Sequence, residues 1–372
     1  IVMAGDLQIS GFVTDNAGGL FIPTRIEEQN SNSSSATLTN YDTDFVEQGS
    51  ALFPNYQGFD GLSFSDVTGK LYASSRYQPS GQSGQIAVVV IDPTNMVTLG
   101  TGTYTPASCA NCYMQVNGGA LSPDGNTYVV YAITNKQSDD DRGVHLLISF
   151  DVSSPGPSMP VLGTKDVTAL GVSANGGGVS MVLDNAGSLY LAFASDGETA
   201  RTYKYYLSGS LITESASASY SPILVHFSGG MGNIRLDPAS GEIFEVWEST
   251  TGVGDYMMLR YDQSLNLVGQ RFFDGYNNTL EDTGFSLAVY NSSTVFVTGA
   301  VNNGQNLDWA TVQLNGNLNA AVSAAGTPVV ITTSNATDFI SCTVSYGGSL
   351  ITSGTIRVVL LPAYSDVPIR FA

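Results

Sequence analysis

Charge is scarce in this chain of 372 residues: Asp, Glu, Lys and Arg together make up 12 %, about half the usual share for a soluble protein. Cations are scarcer still, with four lysines (Lys70, Lys136, Lys165, Lys204) and nine arginines, and the formal net charge is −19. No basic cluster occurs anywhere, and such a surface repels phosphate backbones and anionic lipid, so nucleic acid and membrane-surface partners are not expected. Long apolar runs are missing too. No stretch of 18 or more apolar residues is present, which leaves nothing to span a membrane as a helix. The chain begins at Ile1 with no charged n-region or apolar h-region, as a mature product does after a signal peptide has been removed.

Only three cysteines and two histidines occur. A structural zinc site needs about four ligands, and neither histidine lies near the C-x-x-C of Cys109 and Cys112 in sequence. A redox C-x-x-C stands before a helix in a βαβ unit, and no helical pattern follows here. The reading that remains is a short disulfide between Cys109 and Cys112 in the polar stretch 105–113, which implies an oxidising compartment. Cys342 sits in the apolar segment 339–344 and reads as a small buried hydrophobe.

What is present is glycine, 41 residues of it, with abundant Ser, Thr and Asn. That mixture suits short strands and tight turns and disfavours helices. A repeat then emerges: an apolar-alternating strand, a turn rich in Asp, Asn and Gly, and a second strand opening on an aliphatic–aromatic pair. It reads GFVTDNAGGLFIPT (11–24), GLSFSDVTGKLYASS (61–75), GALSPDGNTYVVYA (119–132), GVSMVLDNAGSLYLAFA (178–194), GNIRLDPASGEIFEVW (232–247), GFSLAVYNSSTVFVTG (284–299) and FISCTVSYGGSLITSG (339–354). The second-strand landmark falls at Phe21, Tyr72, Tyr128, Tyr190, Phe244, Phe296 and Ile351, with gaps of 51, 56, 62, 54, 52 and 55 residues. Seven copies fill the chain.

Two further strand-like runs follow each hairpin. The sixth copy shows all four at 285–290, 294–300, 308–314 and 318–324, and the fifth adds 256–262 and 267–273. Four antiparallel strands per repeat is the blade of a β-propeller, whereas solenoid repeats are shorter. The sequence therefore predicts an all-β, seven-bladed β-propeller filling residues 1–372 as one domain, with blades near 1–56, 57–113, 114–174, 175–228, 229–279, 280–333 and 334–372. Asp184 to Gly187 and Asp237 to Gly241 place Asp, Pro and Gly as type I turns with a left-handed closing residue require. The run 1–10 is expected as a strand that pairs with the last repeat, alongside outer strands at 357–364 and 367–372; extension to another subunit is the alternative.

The stretch 256–325, with YMMLRYDQSLNLVGQRFFDG, EDTGFSLAVYNSSTVFVTGAV and DWATVQLNGNL, resembles the SBBP-type β-propeller repeats of secreted and cell-surface proteins. The resemblance is strongest in the fifth and sixth copies and fades in the first, third and seventh. It implies the propeller fold and an extracellular setting, and its motif carries no catalytic residues to transfer.

No G-x-S-x-G elbow, phosphate loop or H-E-x-x-H is present. His145 and His226 lie in apolar strand-like runs and read as packed core histidines rather than as bases. One regularity concerns acids: Asp60, Asp282 and Asp338 each precede an inner strand by a similar distance, a position that lies at one mouth of a propeller channel. Converging there they would bind a cation such as calcium; in the plainer reading each caps its own turn. The run Asp139, Asp140, Asp141 reads as solvated loop. Sequons for N-glycosylation occur at Asn32, Asn277, Asn291 and Asn335, the first three in segments expected to be exposed. These features together suggest a non-enzymatic extracellular structural or interaction module, a glycoprotein subunit of a surface layer or appendage, with protein (itself included) or glycan as partner. The alternative is a secreted carbohydrate-active lyase or hydrolase using channel carboxylates.

Overall fold

In the computed structural model, residues 8–9, 13–15, 17–27, 34–79, 83–106, 113–135, 143–170, 179–184, 186–195, 199–221, 223–224, 233–237, 239–249, 255–273, 283–291, 294–302, 307–314, 339–346 and 349–357 are described. Among them the strand pairings with a described register are antiparallel, and the one helical element is the short turn Thr168–Leu170. Two compact units divide the chain, one of Ile1–Asp196 with Arg201–Ser217 and the other of Gly197–Ala200 with Ala218–Ala372.

The first unit carries three sheets in chain order and most of a fourth, whose residues 199–200 and 218–220 fall in the second unit. In the first sheet, Val13–Thr14, Leu20–Glu27, Ser34–Tyr41 and Glu47–Pro54 follow one another, and Gln8–Ile9 also pairs with Leu20–Glu27. The second holds Gly61–Ser65, Lys70–Tyr77, Gln85–Asp92 and Val97–Tyr104; the third, Tyr113–Leu121, Thr127–Asn135, Val144–Asp151 and Val161–Asp166. Ser180–Leu183, Ser188–Ser195, Thr199–Ser208 and Leu211–Tyr220 form the fourth. In the second unit, Ile223–Leu224 and Asn233–Leu236 both pair with Ile243–Ser249, which continues to Asp255–Tyr261 and Leu267–Phe273. A three-stranded sheet of Thr283–Asn291, Thr294–Asn302 and Leu307–Leu314 and the pair Phe339–Tyr346 and Ser349–Arg357 complete the described strands.

These four-stranded meanders are propeller-like blades, five of them with four or more described strands. All seven sequence landmarks, Phe21 through Ile351, fall on the second strand of their sheet. The fourth strand expected at 318–324 and the outer strands expected at 357–364 and 367–372 lie beyond the described residues but for Arg357 itself. One expectation is corrected: Gln8 and Ile9 pair with Arg25 and Thr24 of the first sheet rather than with the last repeat.

Why the middle strands read as unbroken apolar runs follows from what covers them. Leu71, Ala73, Val89 and Ile91 pack against Phe21, Ala36, Leu38 and Phe53 of the first sheet. The alternate residues Tyr72, Val88 and Val90 pack the other way, against Tyr128, Val130 and Ile148 of the third. Val129, Tyr131 and Leu147 of the third sheet then meet Leu189, Leu191, Phe193 and Tyr205 of the fourth. With both faces covered, polar alternation is lost, and each buried Val, Leu or Phe contributes about 1.5–3 kcal/mol. In the second unit Phe244, Val246 and Met258 meet Leu287, Val295 and Val297 in the same way.

Two local devices recur. Asp15, Asp42, Asp184 and Asp262 each begin a hairpin turn and accept the N–H groups two and four residues on with Oδ1, at 2.7–2.9 Å. The fourth turn residue is left-handed: Gly18 (φ 85°), Phe45 (58°), Gly187 (78°) and Leu265 (64°). Gly241 (69°) closes the Asp237 turn, so both turns expected to carry a left-handed closing residue do.

The second device is a β-bulge at the start of the fourth strand. Gln48, Leu99, Leu162 and Val268 are each an extra residue, and Gly49, Gly100, Gly163 and Gly269 each follow and resume the ladder. In the first unit those glycines receive the outer turn of the next sheet. Met96 lies over Gly49, Gly156 against Gly100, and Ser210 against Gly163. Thr101 also donates to Gly156 O (2.9 Å) and accepts from Met159 N (3.1 Å), which covers an otherwise open strand edge.

Candidate functional site

Of the three carboxylates expected at the channel mouth, Asp60 lies among the described residues, whereas Asp282 and Asp338 lie outside them. Asp60 is exposed just ahead of Gly61–Ser65, its N–H donating to Ser74 O at 3.1 Å. The chain before it rides along the end of Lys70–Tyr77: Gln57 N donates to Arg76 O (2.9 Å) and Gln78 N to Asn55 O (2.8 Å).

Side chains alternate across this extension, so it has a polar and an aromatic face. On one, the Arg76 guanidinium donates to Gln57 Oε1 (3.1 Å) and Gln78 Oε1 (2.7 Å), and Gln57 Nε2 donates to Gln78 Oε1 (3.3 Å). On the other, the Tyr56 and Tyr77 rings lie 4.7 Å apart, with Phe53 and Phe59 behind Tyr56. Burial raises the Tyr56 hydroxyl above the ordinary tyrosine value, a Thr101 hydrogen bond lowers it in part, and Tyr77 raises it again. The amides and the guanidinium on one face and the phenol rings on the other are thus held by one another.

A second polar group lies deep in the fifth sheet. Glu245 is fully buried and accepts from Trp247 Nε1 at 2.9 Å. Tyr261 is nearly as buried, and its hydroxyl is raised first by burial, then by the Glu245 charge and by Tyr220. The acid in the middle of IFEVW marks Glu245 in the sequence; Arg76, Gln57 and Gln78 carry no comparable mark.

His145 is the packed histidine that its apolar context predicts, 3 % exposed, while His226 lies outside the described residues. The acids that open described turns serve those turns. Besides the four Asp hairpins, Asp124 accepts from Ser122 Oγ (2.6 Å) and Asn126 N (3.0 Å). These bonds, the Ser122 hydroxyl first, hold its carboxyl below the ordinary value. Among the described residues no group of three or more His, Cys, Asp or Glu side chains is placed to hold a metal ion.

Asn32, Asn277 and Asn335, the cysteines Cys109 and Cys112 and the run Asp139 to Asp141 lie outside the described residues. Asn291 ends Thr283–Asn291 opposite Thr294, and Cys342 sits in Phe339–Tyr346 opposite Gly354; only their backbones are described.

No family model and no curated protein matches this sequence. Among solved structures, a luciferin-regenerating enzyme is similar at 11 % identity and TM-score 0.42, over 80 % of this chain and 86 % of its own. A candidate 6-phosphogluconolactonase from Bacteroides fragilis is similar at 10 % identity and TM-score 0.43, over 82 % and 84 %. Likeness at this level carries no argument about chemistry.

Proposed function

We propose that this chain is an extracellular seven-bladed β-propeller that works by presenting rigid surfaces to a protein or glycan partner, as a structural or interaction module without chemistry of its own. The observation that carries this reading is the use made of its acids. In turn after turn among the described residues the aspartate that opens it accepts that turn's own N–H groups, so these aspartates build stiff hairpins. Exposed apolar side chains on outer strands, Leu52, Leu99, Leu211 and Val268 among them, add contact area for association.

The likeness to SBBP-type repeats and the lysine-poor, Ser- and Thr-rich composition support a surface setting, as a subunit of a layer or appendage. In the same reading Asn32, Asn277, Asn291 and Asn335 carry glycans, and a Cys109–Cys112 disulfide closes its loop. Asp60, Asp282 and Asp338 are the residues to which calcium would bind.

Native mass spectrometry and electron microscopy of protein from its source test assembly and glycans together, and seven sheets about one axis are expected. A polysaccharide panel, with and without calcium, tests the rest. Binding without turnover is the expected result. Turnover abolished by Asp282→Asn or Asp338→Asn would replace this reading with a carbohydrate-active enzyme.

A further inference from the structure

At the junction of the third and fourth sheets a buried histidine, through its ring and its backbone, ties together three pieces of chain. The Tyr131 hydroxyl, on Thr127–Asn135, and His145 Nδ1, on Val144–Asp151, are 2.5 Å apart. The backbone of His145 holds the turn that leaves the third sheet: His145 N donates to Thr168 Oγ1 (2.9 Å) and Val167 N donates to His145 O (2.8 Å). Asp166 accepts from Thr168 N (2.9 Å), and Leu170 N donates to Val167 O (3.1 Å). Val167 and Leu170 thereby plug the apolar cluster shared with Leu191, Phe193, Tyr203 and Tyr205.

We propose that His145 is an acid-sensitive latch, whose protonation releases the Val167–Leu170 turn and loosens the third sheet from the fourth. Protonation brings a charge into an apolar cluster, and where the neutral ring accepts the tyrosine proton at Nδ1 it also turns the Tyr131 hydroxyl from donor to acceptor. Among the described residues the titratable and charged groups around it are few. Tyr131 stays neutral, held up by burial and by Tyr205. Tyr205 is likewise raised by burial, by Glu214 and by Tyr203. Among the described residues Asp166, with Lys165 beside it, favours the charged ring, and burial outweighs it, so His145 titrates below its ordinary value.

The sign follows. A group held neutral in the fold contributes stability that is complete above its unfolded pKa, about 6.5, and is lost as pH falls through that value. Asp166 is held low first by the Thr168 hydroxyl and then by the Thr168 N–H, so its share is lost at still lower pH, in the same direction.

Amide hydrogen exchange of the full chain, corrected for the intrinsic pH dependence of exchange, tests the latch at residues 166–170. Opening is expected to rise on the order of tenfold per pH unit below about 6.5, ahead of the outer sheets. In His145→Gln and His145→Phe the same amides should show no such step. A step that survives in both variants, or its absence from the parent, overturns the proposal. Should neither variant fold, the proton resonances of the His145 ring decide: titration at or above the ordinary histidine value overturns it as well.

Discussion

Gly49, Gly100 and Gly163 occupy one position of the repeat, yet alanine should affect them in opposite directions. None has a left-handed backbone, so the outcome depends on what faces each. A Cβ on Gly49 would meet nothing nearer than Met96 Cγ at 3.9 Å, an ordinary contact. Gly49→Ala then mainly restricts the unfolded chain and should stabilise by about 0.4–1 kcal/mol. A Cβ on Gly100 would lie 2.5 Å from Gly156 N and 2.9 Å from Gly156 O. One on Gly163 would overlap the Ser210 carbonyl oxygen, with the Ser210 carbonyl carbon at 2.7 Å.

Those are backbone atoms that cannot swing aside, so the neighbouring turn must retreat by roughly 1 Å, at a cost of about 1–3 kcal/mol. At Gly100 the retreat also strains the two hydrogen bonds of Thr101, each contributing about 1 kcal/mol. The gap between Gly49→Ala and Gly100→Ala should therefore be about 3 kcal/mol. In a unit of roughly two hundred residues that is about 6–12 °C in melting temperature. Thermal melts followed by circular dichroism, with urea titrations beside them, read it. Equal melting of all three variants would refute the idea that this glycine is the socket for the next sheet's turn.

Left-handed Phe45, Met96 and Leu265 allow a matched comparison, since backbone strain of about 1–2 kcal/mol is shared but burial is not: Phe45 is 43 % exposed, Met96 8 % and Leu265 5 %. Phe45→Gly should be neutral or stabilising in denaturation, whereas Met96→Gly and Leu265→Gly should lose about 1–2 kcal/mol net of strain relief; equal effects would contradict this. Asp184→Ala removes the acceptor for Ala186 N and Ser188 N and the partner of the Tyr190 hydroxyl, and should cost about 1–2 kcal/mol. Asp184→Asn keeps an acceptor oxygen and should recover most of that in the same urea titration, a recovery whose absence would point to charge rather than geometry.

The blade unit was legible because its signals are local. An Asp that caps its own turn, a glycine with positive φ and strands of alternating or fully apolar character all act within about fifteen residues, and the landmark aromatics mark where each second strand starts. The bulge glycines were written in the sequence as well, in EQG, TLG, VLG and LVG, but their meaning was not. A glycine in a strand reads as weakness until the turn that occupies its missing side chain is known.

Site residues divide along the same line. His145 could be read as packed from its apolar neighbours, and Glu245 stands out as an acid inside IFEVW. The hold of Gln57 on Arg76, and of His145 on Thr168, could not be read, because each joins residues about twenty positions apart whose meeting depends on strand register.

Sequence by itself determined the strand–turn–strand grammar of this protein, its repeat and its acidic, lysine-poor surface, since propensity and capping are settled between near neighbours. Tertiary structure alone decided which face of each strand meets which sheet, where N-terminal Gln8 and Ile9 pair, and which turn fills which glycine. Those choices rest on contacts between distant segments, where a shift of one residue exchanges the buried face for the exposed one.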